Sequence, residues 1–116
     1  MENKWTELVT ASDAIQTAEK MHRNKLPAEL KSRIYVDRPF QATVRLYGGM
    51  LESVALLKQS GAPVDEMVES IRGNLESYLM KQAGEGADNS VHEAIMTFTR
   101  GYASTISHTV QAQLHP

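Results

Sequence analysis

Four histidines, His22, His92, His108 and His115, are the side chains of this sequence best suited to proton transfer or metal binding near neutral pH. A helical metal site needs ligands three or four residues apart, so that they share one face. No two of these histidines have that separation; His108 and His115 are seven apart and only roughly aligned. Ser104, Ser107 and His108 offer a hydroxyl and a base close together. A working nucleophile also needs an orienting group and donors aimed at the developing oxyanion, and nothing nearby supplies either. Asp65, Glu66, Glu69 and Glu76 read as one solvated helix face, with no surroundings that would raise a carboxyl pKa. Gly84-Glu85-Gly86 is too short and too acidic to cradle a phosphate. The expectation is a protein without catalytic residues, cofactor or metal.

Charge points to a second kind of chemistry. Between residues 19 and 38, Lys20, Arg23, Lys25, Lys31, Arg33 and Arg38 face only Glu19, Glu29 and Asp37. Such a cluster suits phosphate backbones or an acidic protein surface, although it also describes the wet side of two short helices. The whole chain carries 12 basic and 14 acidic residues, a net charge of −2, which removes the bulk attraction expected of a nucleic-acid binder.

Composition narrows the class further. A chain of 116 residues is the length of one ordinary domain, here expected to span 1–116. The absence of cysteine excludes disulfides, thiolate zinc sites and a cysteine nucleophile. With 41% apolar and 22% charged residues, the composition is that of a globular domain. No apolar run approaches the ~20 residues of a spanning helix, and the opening MENKWTELV lacks a secretory layout, so a cytoplasmic protein without membrane contact is expected.

The elements that must carry these residues are helical. Pro27, Pro39 and Pro63 each precede a stretch with helical spacing, and Gly61 suits a left-handed stop. Ser90-Val91-His92-Glu93 has the form of a capping box. The pattern predicts an all-α bundle of four long helices and one short one, over roughly 5–24, 27–35, 39–59, 63–82 and 90–113. The 39–59 helix is apolar over about half its circumference and reads as central, contacted from several directions. Gly48-Gly49 inside it costs ~1 kcal/mol per glycine relative to alanine, which a close helix approach would justify.

The last helix carries a stripe of large residues, including Phe98, Tyr102, Ile106 and Val110, beside a track of small ones. The sixteen residues after Arg100 contain no Asp, Glu, Lys or Arg. An uncharged helix of this length is expected to be covered by protein on more than one side, within the chain or in a homodimer. The leading expectation is therefore a small regulatory or adaptor protein that binds another protein, for example an inhibitor or anti-activator that blocks a target's assembly. Its interface anchors would be Phe98, Tyr102, Ile106 and Val110, with Trp5 and Met21 second. Two alternatives are a DNA-binding regulator using the 20–38 segment and a small-ligand bundle with a pocket near Tyr47, Gly48, Gly49 and Met50.

Overall fold

The computed structural model describes residues 11–114. Five helices account for most of them: α1 (Asp13–His22), α2 (Ala28–Val36), α3 (Arg38–Leu57), α4 (Val64–Ala83) and α5 (Asn89–Leu114). Two 3-10 turns, Arg23–Lys25 and Lys58–Ser60, tighten the ends of α1 and α3. The all-α expectation holds, and no strand occurs among the described residues. The expected first helix began at residue 5; Trp5 and Leu8 lie outside the described residues, as does His115.

α1, α3 and α5 begin where a side chain satisfies a free N–H donor, whereas α2 and α4 follow Pro27 and Pro63 and have no side-chain cap. The Ser12 hydroxyl accepts from the Ile15 amide at 3.3 Å, and the Asp37 carboxylate from the Phe40 amide at 3.0 Å. Pro39 occupies the first turn of α3, where its missing donor costs nothing. At α5 the expected cap is corrected. Asp88, not Ser90, accepts the Val91 amide at 3.1 Å, and the helix already runs through Ser90. Asp is as good a cap as Ser, and the earlier of the two starts the helix two residues sooner, directly after the glycine-rich loop. Gly61 and Gly84 end the preceding elements at φ 82° and 88°, where a side chain would be strained.

α5 lies against α1, α3 and α4, and its large-residue stripe is the core. Ile95, Phe98, Tyr102 and Ile106 are fully buried, together with Phe40, Val44 and Leu51 of α3 and Leu75 and Leu79 of α4. Phe98 and Tyr102 stack on each other with centroids 5.2 Å apart. The Tyr102 hydroxyl donates to the Val44 carbonyl at 3.3 Å, so the buried phenol has a partner. Burial pushes the Tyr102 pKa well above the ordinary range, and the group stays neutral.

Small residues set how close the helices come. Gly48 sits under the Tyr102 hydroxyl and beside Ile15, so a methyl group there would strike the hydroxyl and press on Ile15. Gly101 sits under the His22 ring in the same way, and Ala14 and Ala18 of α1 are fully buried, so α1 packs closely on α5. The close-approach reading of Gly48 is therefore correct. Gly49 differs, since a side chain there would meet nothing within 4 Å.

Polar pairs clamp the helix junctions. Arg45 on α3 holds the Glu19 carboxylate of α1 through two nitrogens at 3.0 Å, with Glu19 only 6% exposed. Arg33 binds Asp37 at 2.8 Å and Gln82 at 2.7 Å while lying over the Phe40 ring. Asp37, held by the Phe40 amide and by Arg33, has its pKa lowered from the usual carboxylate value. The resulting molecule is a slab of 42 × 41 × 19 Å, and α3 exposes one side of its length.

Candidate functional site

The anchors expected on a binding surface must be corrected. Phe98, Tyr102 and Ile106 are 0% exposed and Val110 is 3% exposed, all within the chain's own bundle. A stripe of large apolar groups and a stripe that binds a partner look alike in sequence; α1, α3 and α4 cover this one first. Met21 is exposed, and Trp5 lies outside the described residues.

The histidines separate into distinct settings. His22 is buried, its Nε2 2.7 Å from the Thr105 hydroxyl and its Nδ1 2.8 Å from the Lys25 ammonium. Because an ammonium only donates, Nδ1 must accept, and Nε2–H donates to Thr105. Desolvation first, and then the Lys25 charge, lower the His22 pKa, so the ring is neutral at pH 7. Glu19 stands three residues before His22, the Glu-x-x-His spacing of helical metal sites. The structure gives Glu19 to Arg45 and His22 to α5, and no cluster of three metal-ligating side chains occurs among the described residues.

Ser104, Ser107 and His108 do come together, on the wall of an open cleft of about 700 Å³ between α4 and α5. Asp65, Glu69, Arg72 and Arg100 line the same cleft. Its charges largely answer each other. Arg72 binds Glu69 at 2.9 Å and Glu76 at 3.3 Å, and donates to Thr99 at 3.2 Å. The Arg72 contact lowers the Glu69 pKa. His108 and Ser104 are exposed, without the third group that would orient them.

The basic segment is divided among structural tasks. Arg33 is tied to Asp37 and Gln82, Arg23 lies over the Tyr35 ring at 5.2 Å, and Lys25 is bonded to His22. Lys20 and Arg38 are exposed and Lys31 is half-buried, but they sit on three different helices. In the α2–α3 pair, the exposed side of α3 is apolar, unlike a helix that reads a DNA groove.

That exposed side is the surface sequence reasoning missed. Leu46 is 66% exposed, Leu56 51%, Leu57 43% and Met50 41%, four large apolar side chains on one helix. At 100° per residue, Leu46, Met50, Ser53 and Leu57 fall within one narrow strip, and no ionised residue lies among them. The buried stripe of α3, through Phe40, Val44, Leu51 and Val54, runs along another side. Two apolar stripes on a single helix were legible as an excess of apolar positions. Internal neighbours account for part of that excess, since α3 contacts α1, α2, α4 and α5. Beside the strip, an open groove of about 640 Å³ runs between α3 and the start of α1, lined by Ile15, Ala42, Leu46, Gly49 and Met50. Of the four residues expected near a pocket, Gly49 and Met50 line this groove, while Gly48 faces the core and Tyr47 packs toward Tyr78.

No family model, curated protein or solved structure matches this chain.

Proposed function

We propose that this chain is a small regulatory or adaptor protein that acts by binding protein, and that the outer strip of α3 is the surface it uses. The supporting observation is the exposure of Leu46, Met50 and Leu57 along an uncharged helix side, with exposed Leu56 on its flank. Covering apolar surface is worth roughly 25 cal/mol per Å², so such a strip gains more from a protein surface than from water. It fits an inhibitor that lays an apolar helix against a regulator or enzyme and blocks that target's assembly. A dimeric form is part of the proposal, carried by α3 rather than α5.

The DNA-binding alternative has less behind it, because Arg33, Arg23 and Lys25 are engaged within the fold. The groove beside Gly49 is compatible with a small ligand, but its open wall makes it part of the α3 surface.

Affinity capture from the source cells tests the reading, comparing the tagged wild-type chain with Leu46→Asp and with Glu66→Lys on α4. Proteins held by the wild type and by Glu66→Lys but lost with Leu46→Asp support it. The same proteins with all three baits, or none with any, overturn it.

A further inference from the structure

We infer that the small pocket where α1, α2 and α3 meet is a binding site for one inorganic phosphate ion. The inference is independent of the outer strip of α3, since Leu46, Met50 and Leu57 line no part of this pocket. Its walls follow from helical spacing. Gln16, Glu19, Lys20 and Arg23 succeed one another at steps of three, one and three, which puts them on one face of α1 and the turn after it. Gln41 and Arg45, four apart on α3, line the same space, together with Ile34 and Tyr35 of α2.

Charge narrows the ligand to a dianion. Lys20, Arg23 and Arg45 share the pocket with one carboxylate, Glu19, which leaves a surplus of two positive charges in a chain whose net charge is −2. Glu19 takes the Nε and one Nη group of Arg45, and the other Nη group has no acceptor among the described residues. No described carboxylate pairs with Lys20 or Arg23. Arg23 is held over the Tyr35 ring at 5.2 Å, a contact that engages its charge and leaves its N–H donors to a ligand. Arg23 and Arg45 are thus positioned before a ligand arrives, so binding orders little that is not already ordered.

Size and the remaining acceptors narrow it to phosphate. The pocket holds about 130 Å³. At ~30 Å³ per water that is room for a single tetrahedral anion with its hydrogen bonds, well under the ~300 Å³ at which pockets for larger organic ligands begin. Gln16 and Gln41 each donate their amide N–H to a backbone carbonyl, of Ala11 at 2.6 Å and of Ile34 at 2.7 Å. Each amide oxygen is left as an acceptor without a partner among the described residues. Hydrogen phosphate brings two negative charges and one P–OH donor for such an oxygen. Sulfate brings the charge without the donor, and a phosphate monoester dianion lacks the donor as well and is larger.

Nuclear magnetic resonance titration of the isotope-labelled full chain with sodium phosphate at pH 7 tests the site, with ionic strength held constant by chloride. The amides of Lys20, Arg23, Tyr35 and Gln41 should shift and saturate. Lys20→Gln and Arg23→Gln should each weaken binding by about tenfold or more, because each removes a charge-assisted contact. Lys20 is exposed, so its variant tests the charge with the fold intact, and unchanged circular dichroism checks this. Lys81→Gln removes an exposed cation of α4 outside the pocket and should leave binding unchanged. Sulfate and glycerol phosphate should bind about tenfold more weakly than inorganic phosphate. Shifts that never saturate, equal losses from Lys81→Gln and Lys20→Gln, or sulfate or glycerol phosphate binding as tightly as phosphate each overturn the inference.

Discussion

Two helices of this chain carry long sides without an ionised group, and the fold treats them in opposite ways. On α5, Phe98, Tyr102 and Ile106 are wholly buried; on α3, Leu46, Met50 and Leu57 stand 41–66% exposed. Lack of charge therefore marks a side that need not face water, without saying what covers it. Volume and neighbours decide. The α5 stripe includes a stacked aromatic pair and meets three helices, so it forms the centre. α3 has two stripes, and the one with Phe40 and Val44 is drawn inward against Tyr78 and Tyr102.

The largest test of this contrast is truncation on each side. Phe98→Ala should cost about 3–5 kcal/mol, whereas Leu46→Ala should change the stability of the dissociated chain by no more than about 0.5 kcal/mol. Urea denaturation at low protein concentration reads both. Equal losses would mean that the α3 strip is covered within the chain.

A smaller effect separates the two glycines. Gly48→Ala forces a methyl group into the Tyr102 hydroxyl and against Ile15 and should destabilise by about 1–3 kcal/mol. Gly49→Ala has room and should stabilise the dissociated chain by up to about 1 kcal/mol through helix propensity. Thermal melts of the two variants should move in opposite directions.

The smallest effect concerns the side of α5 that α1 crosses. The folded pKa of His22 lies below its ordinary 6.5, so the unfolded chain takes up this proton first as pH falls. Its contribution to stability is therefore intact above 6.5, declines as pH falls from there toward the folded pKa, and levels off below it. Melting temperatures from about pH 8 to about pH 5 should fall more steeply for the wild type than for His22→Asn. Identical profiles would remove the imidazole from the account.

Much of this fold was legible before any coordinates. Pro39 and Gly61 mark where α3 begins and where the turn after it ends, and the period of Val64, Ile71, Leu75 and Leu79 identifies α4. Boundaries shifted where two caps competed, as with Asp88 and Ser90, because either residue type can accept the same amide. The candidate surface was not legible as such. Periodicity ranks sides by polarity, and Phe98 on α5 and Leu46 on α3 rank alike until the helices are placed. The roles of Arg33 and Lys25 were hidden for a related reason, since Gln82 is 49 positions away from Arg33 and the ring bound by Lys25 is fixed by Thr105 on another helix.

The imidazole of His22 occupies the space that a side chain at position 101 would need. Neither residue can change freely while the other stays. In any descendant of this chain that gains bulk at 101, the residue at 22 should have shrunk, and the two positions should mutate as a pair. The α1–α5 crossing thus leaves an evolutionary signature that a modest set of diverged sequences would reveal.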